Sequence, residues 1–375
     1  MLKGLNLTLM IGPAVPVPVP QLVLDALTGV TVQTSSDETA SGFDLTFTLS
    51  NQSPLHTLFL LSGGTGIPIV RVVILATVNG MPEVLMDGVM THHQVTPGAE
   101  GYSTLTVRGT DLTSLMTIIP FDGLPYPAMP TYVRVNLILA KYLAFGIVPL
   151  VIPPILMDVP IPIDKIPRHI GTDLDYLQLL AREAGYVFYI NPGPAPLTSV
   201  AYWGPEIKVG VPQPALNINM DAHTNVESLS FSFDKESKEL PVVWIHNRES
   251  KVIIPIPIPD ITPLNPPLGA VPPIPPRITF LDYTAKMSPL DAALHGVAYA
   301  SQHSDCVTGR GSLDVLRYGR ILKARQLVGV RGAGTAFDGL YYVKGVTHSI
   351  KRGEYKQDFT LTRNGLISTL PRVPA

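Results

Sequence analysis

A single cysteine, Cys306, stands in 375 residues. That excludes an internal disulfide and any multi-cysteine zinc site, and fits a reducing compartment or a protein that needs no covalent staples. Charge is also scarce, at 15% Asp, Glu, Lys and Arg against about a quarter in ordinary globular chains. The 27 basic and 29 acidic residues leave a net charge of -2, which gives no field for gathering polyanions and makes nucleic acid a poor partner. Phosphate loops of the GxGxxG or GxxxxGK[ST] kind are missing, as are HExxH and GxSxG, so nothing points to nucleotide, zinc-protease or serine-hydrolase chemistry. Apolar residues are abundant instead, at 46%, and the 38 prolines are about double the usual share. Such a chain can bury a large core and is not disordered. Its length predicts two or three folded units.

Two stretches look membrane-like. The N-terminal run resembles a leader, but prolines at 13, 16, 18 and 20 interrupt it, so no cleaved signal is expected. Residues 137–157, LILAKYLAFGIVPLVIPPILM, are long enough to span a bilayer of about 20 helical residues. Against a span, Lys141 lies inside the run and Pro149, Pro153 and Pro154 remove backbone donors that lipid cannot replace. A short helix running into an extended apolar segment, buried against protein, fits the proline spacing better.

Period-two alternation dominates the rest. Phe43, Leu45, Phe47 and Leu49 fall on one face, with Asp44, Thr46, Thr48 and Ser50 on the other, as in a half-buried strand. Further strands are predicted at 69–78, at 83–90 after an Asn79-Gly80 turn, and at 103–108. Late in the chain, Leu229, Phe231 and Phe233 alternate with serines, 340–350 reads as a strand, and Tyr355, Gln357, Phe359 and Leu361 share a face. Lys351 to Glu354, containing Gly353, supplies a hairpin turn between the last two. Helices are few. The clearest is 173–184, with Thr172 as N-cap, Leu174, Leu177, Leu180 and Ala181 as an apolar stripe, and Gly185 as terminator. A second begins at Ser288-Pro289, and Asp111 to Met116 forms a short third. The pattern is mainly β within an α+β class, with an α+β insert where VFYI follows Gly185.

Proline-rich arms divide these blocks. Residues 255–276 hold ten prolines and almost no charge, which predicts a stiff, extended, polyproline-like segment. It is either a semi-rigid linker or an arm packed along a surface, its own or a partner's. Residues 149–167 share the character. The resulting division is 1–150, 151–280 and 281–375, the last unit completed by strands from the middle one.

Candidate chemical groups are sparse. His92 and His93 are neighbours on a predicted strand, where adjacent side chains point to opposite faces, so they do not make a metal site. His303 and Cys306 could pair as base and thiolate, but nothing supplies an oriented imidazole or an oxyanion site, and a packed cysteine is the plainer reading. The glycine clusters at 62–66 and 329–334 are loops. Arg317, Arg320, Lys323, Arg325 and Arg331 form a basic stretch diluted by leucines and valines, read as a solvated strand face or a contact for an acidic partner. No catalytic, cofactor-binding or metal-binding residue is assigned, no cofactor or small-molecule substrate is expected, and the chain is expected not to be an enzyme.

Residues 311–366, ending in GLYYVKGVTHSIKRGEYKQDFTLTRNGL, resemble the end of the phage late-control gene D family, the baseplate hubs of contractile tails and injection systems. Gly339 to His348 and the strand from Tyr355 are similar to the closing hairpin of that family's second barrel. GMPEVLMDGVMTHH at 80–93 with STLTVRGTDLTSLM at 103–116 is similar to its first barrel, and GTDLDYLQLLAREAGYVFYI at 171–190 resembles the element between barrels. The match follows the family's order across most of 41–366.

The resemblance implies two similar tube-like β-barrels per subunit and a homotrimer whose six barrels imitate a six-fold ring. It implies a symmetry adaptor joining a hexameric inner tube to a trimeric spike, with other baseplate proteins as further partners. Related secretion spikes continue into an oligosaccharide-binding barrel and a needle. This sequence ends at Ala375 without them, so the spike is expected to be a separate protein, as in bacterial phage-like contractile injection systems. Assembly in the cytoplasm into a phage-tail-like particle follows. Two other readings stay open: a membrane-anchored assembly component, resting on 137–157, and a tail-associated hydrolase.

Overall fold

The computed structural model describes residues 4–13, 15–36, 41–49, 69–98, 102–154, 159–163, 166–246, 253–258, 265–275, 277–282, 284 and 289–370. Its first run of elements is β1 (Leu5–Pro13), the two-residue β2 (Val17–Pro18), α1 (Gln21–Ala26), β3 (Leu27–Ser35), β4 (Gly42–Leu49), β5 (Val70–Val78), β6 (Met81–Pro97) and β7 (Ser103–Asp111). In β4, Phe43, Leu45, Phe47 and Leu49 are buried while the residues between them are not, as a half-buried strand requires. Asn79 and Gly80 turn β5 into β6 with φ of 50° and 82°, the two positive values of a type I′ hairpin. The segment expected at 83–90 is only the buried half of β6, which continues as an exposed stretch from Thr91 to Pro97 while still pairing with β7.

The insert follows. Asp111 caps a 3₁₀ turn over Leu112–Thr117, accepting from the Thr113 backbone N–H, and leads to α2 (Thr131–Ala140), β8 (Ile147–Val151), α3 (Asp173–Ala184), β9 (Val187–Pro192) and β10 (Ser199–Gly204). Thr172 and Asp175 form a reciprocal capping box on α3, and Gly185 ends it at φ 67°, as the sequence predicts. The sheet runs β8-β10-β9. The apolar stripes of α2 and α3 meet Phe188, Ile190, Ala201 and Trp203 in one core. The membrane-like run is therefore broken up: it contains the end of α2, a 3₁₀ turn and β8. No helix among the described residues is long and apolar enough to cross a membrane.

The remaining elements are β11 (Gln213–Asn217), β12 (Ser228–Phe233), β13 (Glu239–His246), β14 (Ile253–Pro257), β15 (Gly269–Val271), β16 (Arg277–Phe280), α4 (Pro289–Gln302), β17 (Val307–Asp314), α5 (Val315–Tyr318), β18 (Leu327–Arg331), β19 (Gly339–Lys351), β20 (Glu354–Arg363) and β21 (Leu366–Ser368). The proline arm departs from the polyproline expectation at both ends. β14 pairs with β13, and β15 with β21. Pro255 and Pro257 are tolerated because β14 is an edge strand, paired on one side only among the described residues.

Thirteen strands form one sheet, ordered β12-β17-β20-β19-β3-β4-β7-β6-β5-β1-β2, with β18 beside β19 and β11 beside β18. Its two halves follow one plan. In the first, β3 to β7 take the spatial order first, second, fifth, fourth, third, and β1 adds beside the third. In the second, β12, β17, β18, β19 and β20 take the same order, and β11 adds beside β18. Strands from the middle of the chain thus complete the C-terminal half. The halves join where Gly29–Ser35 of β3 pairs antiparallel with Lys351–Gly345 of β19. Among the described residues the strand path is open and no closed barrel forms, unlike the expectation. β3 and the second part of β19 hydrogen-bond across the junction instead of closing their own halves. One hydrophobic core runs through both halves, from Leu9 to Leu361.

Candidate functional site

The groups singled out in the sequence do not converge. Cys306 is buried with its Sγ against the Arg363 carbonyl, and burial pushes its thiol up to about 11. His303 stacks on Tyr299 at 4.2 Å and bonds the Tyr299 carbonyl through Nδ1, so its ring is committed to its own helix. A thiol held this far above neutral pH is not a nucleophile. Maleimide labelling at pH 7 should therefore be slow on the folded chain and at least tenfold faster in denaturant; equal rates would show an exposed, activated cysteine. His92 and His93 lie on the exposed part of β6. The glycine cluster at 62–66 is outside the described residues.

The basic stretch is not one surface. Arg317 and Arg320 are exposed and Lys323 pairs with Glu83 at 2.7 Å, but Arg325 is only 6% exposed. It has φ 65°, which turns its side chain inward between three segments. Its Nε and Nη2 donate to the Ser35 carbonyl at the end of β3, and Nη2 also reaches Ser41 Oγ. Its Nη1 donates to Asn191 Oδ1 and the Ile190 carbonyl of β9. The guanidinium lies 3.8 Å from the centre of the Tyr189 ring. Burial lowers its pKa, opposed by Tyr189 and Asp111, and arginine keeps its charge there.

Two buried ion pairs also tie the insert to the large sheet. Arg71 on β5 grips Asp87 on β6 in a bidentate pair at 2.7 and 2.6 Å. The same arginine donates to the Phe145 carbonyl, and Ser199 Oγ donates to Asp87. Lys208, after β10, donates to both oxygens of Asp305 at 2.8 and 3.0 Å and lies 3.3 Å from Glu206. Burial disfavours the Lys208 charge, but the two carboxylates outweigh it and hold its pKa above the lysine range. Burial likewise pushes Glu206 up, while Lys208 outweighs burial at Asp305 and holds it down. A cavity of about 380 Å³ beside this cluster is lined by Gln178, Arg182, Glu206, Asp305 and Lys344 among others, with no histidine among the described residues.

What the site offers is rigid clamping and strand edges that have no partner among the described residues. β12 ends the sheet with Ser228, Ser230 and Ser232 exposed and hydrogen-bonded to β17. The Thr91–Pro97 part of β6 pairs with β7 on one side only. Sequence reading missed both edges, and also Arg71, Lys208 and the true place of Arg325. An unusually long strand and a serine-faced strand were the only available signals.

No protein-family model and no curated protein sequence matches the chain. Among solved structures, a tail protein from Neisseria meningitidis MC58 superposes with a TM-score of 0.63 at 15% identity, over 97% of this chain and 98% of that one. The 43 kDa tail protein of prophage MuSo2 from Shewanella oneidensis gives 0.60 at 15%, over 96% and 98%. The E. coli c3393 protein, described as a type VI secretion component similar to the T4 tail proteins gp27 and gp5, gives 0.56 at 12%, over 93% and 78%. The chain shares their fold. That likeness covers nearly the whole length of the two tail proteins, so it includes the insert as well as both halves of the sheet.

Proposed function

We propose that the chain is a structural baseplate hub of a phage tail or phage-tail-like contractile injection system, of the late-control gene D kind, and not an enzyme. On this reading it is a homotrimer that joins a hexameric inner tube to a separate trimeric spike and contacts other baseplate proteins, within a tail-like particle assembled in the cytoplasm. The units are 1–150, 151–280 and 281–375, with β11 and β12 completing the last.

The observation that carries the reading is the shared strand order of the two halves and the way they join. Within the chain, the first strand of one half, β3, adds to the free part of the long fourth strand of the other, β19. The matching pair left open is β12 and the Thr91–Pro97 part of β6. Repeating the internal joint between copies continues the sheet head to tail. Three copies, with two halves each, then close a ring of six similar units, and a heterologous contact that closes gives a cyclic assembly. Such a ring matches a six-fold tube on one side and a three-fold spike on the other. Rigid clamps such as Arg325 suit an adaptor that must hold its halves at a fixed angle.

Light scattering after size exclusion tests the reading. The mass expected is about three times 40.5 kDa, with electron-microscopy averages showing a six-lobed ring. A dimer or tetramer would sink it.

A further inference from the structure

The connection between β12 and β17 carries a small sheet ordered β14-β13-β16, whereas the matching connection between β3 and β4 spans only six residues. Helix α4 covers one face of this sheet: Val243 and Ile245 pack toward it with Leu281, Ala292 and Tyr299, and any side chain at Gly296 would strike Val243 and Ile258. Strand register puts Leu240 and Trp244 on the opposite face, with Ile253 and Pro255 of β14 and Ile278 and Phe280 of β16. Trp244 and Phe280 stack at 5.3 Å. Ile253, Ile278 and Phe280 keep 51%, 58% and 54% of their surface exposed, where the outer face of a one-sided sheet is normally polar.

We propose that this outer face docks on a second copy of the chain, against the exposed Ile118–Ile119 step that follows β7. The inference rests on the ring reading above and goes further by naming the contact. Two observations select the second copy. The first is position. In the internal joint, the end of β3 at Ser35 lies opposite Gly345, near the start of the free part of β19. By the same geometry, the end of β12 at Phe233 lies near the start of the free part of β6 in the next copy. There Gly88 and Val89 pair with Asp111 and Thr110, and the chain runs on from Asp111 into Ile118 and Ile119, which are 60% and 56% exposed. The small sheet begins six residues after Phe233, so it emerges beside that step. The second is continuity. This face extends the β12–β6 contact of the ring reading, so its exposed Ile253, Ile278 and Phe280 add to that interface and need not by themselves reach the about 1,000 Å² that a specific interface requires.

The test compares the full-length chain with Phe280→Glu and Ile119→Lys by light scattering across a dilution series, with circular dichroism as the check on folding. For folded variants, each substitution should raise the concentration at which the trimer half-dissociates by about thirtyfold or more. The double variant, which opposes the two new charges, should recover part of that loss. Should Phe280→Glu fail to fold, Ile119→Lys decides alone, because it lies outside the small sheet. A trimeric parent with trimeric, folded variants would overturn this docking, leaving the ring intact and assigning the face to a different protein. A monomeric parent would overturn both.

Discussion

Replacing Arg325 by alanine is expected to cost about 3–5 kcal/mol of folding stability, the range for removing one partner from a buried charged network. The side chain bridges β3 and β9 through Ser35, Asn191 and the Tyr189 ring, while its backbone N–H donates to the Val343 carbonyl of β19 in the second half of the sheet. Its loss leaves the Ser35 carbonyl and the Asn191 amide oxygen without that donor, and leaves the Asp111 carboxylate, whose pKa burial already raises, without the nearby positive charge. Lysine should not rescue it, because one ammonium cannot reproduce a planar fork that bonds two segments and stacks on a ring. Urea unfolding of wild type, Arg325→Ala and Arg325→Lys measures the effect. A midpoint within error of wild type for either variant would show that the clamp is dispensable. Loss of the clamp should also loosen the angle between the halves, so ring averages from Arg325→Lys should be blurred even where the chain still folds.

Much of the fold was legible because it rests on local rules. The Phe43–Leu49 and Tyr355–Leu361 alternations fix one buried face each, and Thr172, Asp175 and Gly185 delimit α3 by capping alone. Other features depend on partners distant in sequence. Nothing near Arg325 announces that it will be buried, since Ser35 is 290 residues away. The prolines of 255–276 read as polyproline because the strand edge that accommodates them belongs to β13, outside the arm. Only the end of α2 was legible, as the short helix opening the 137–157 run, because its first turns, TYVRVN, are rich in β-branched residues, which favour strands unless tertiary packing overrides them. Here Val135, Ile138 and Leu139 bury one helical face against α3 and the insert sheet, and that burial decides the matter. The junction itself was invisible for a related reason. β3 and β12 share a place in the topology without sharing a sequence, so only the strand pairing reveals the duplicated plan.

Acid should weaken the same junction. His348 lies on β19 opposite Val32 of β3, buried, with Nδ1 on the Tyr355 hydroxyl at 2.8 Å and 3.3 Å from Gln357 Nε2. Gln357 in turn bonds the Leu322 backbone N–H and carbonyl. Burial lowers the imidazole from an ordinary 6.5 to about 4, so the folded chain holds this histidine neutral while the unfolded chain protonates it. The stability tied to neutral His348 is fully present above pH 6.5, declines as the pH falls toward 4, and is gone below that, a loss of about 3 kcal/mol. Carboxylates titrate in the lower part of the same range with opposing signs. Asp305, whose pKa is lowered, also loses stability in acid, whereas Glu206, whose pKa is raised, recovers some. The informative quantity is therefore the difference between wild type and His348→Gln, whose amide can still accept from Tyr355 but carries no proton to gain. Urea midpoints measured from pH 7.5 to 4 should converge as the pH falls, with wild type losing its advantage between 6.5 and 4. Parallel curves would mean that His348 protonates without strain in the folded chain, and that the seam between the two halves tolerates a buried charge.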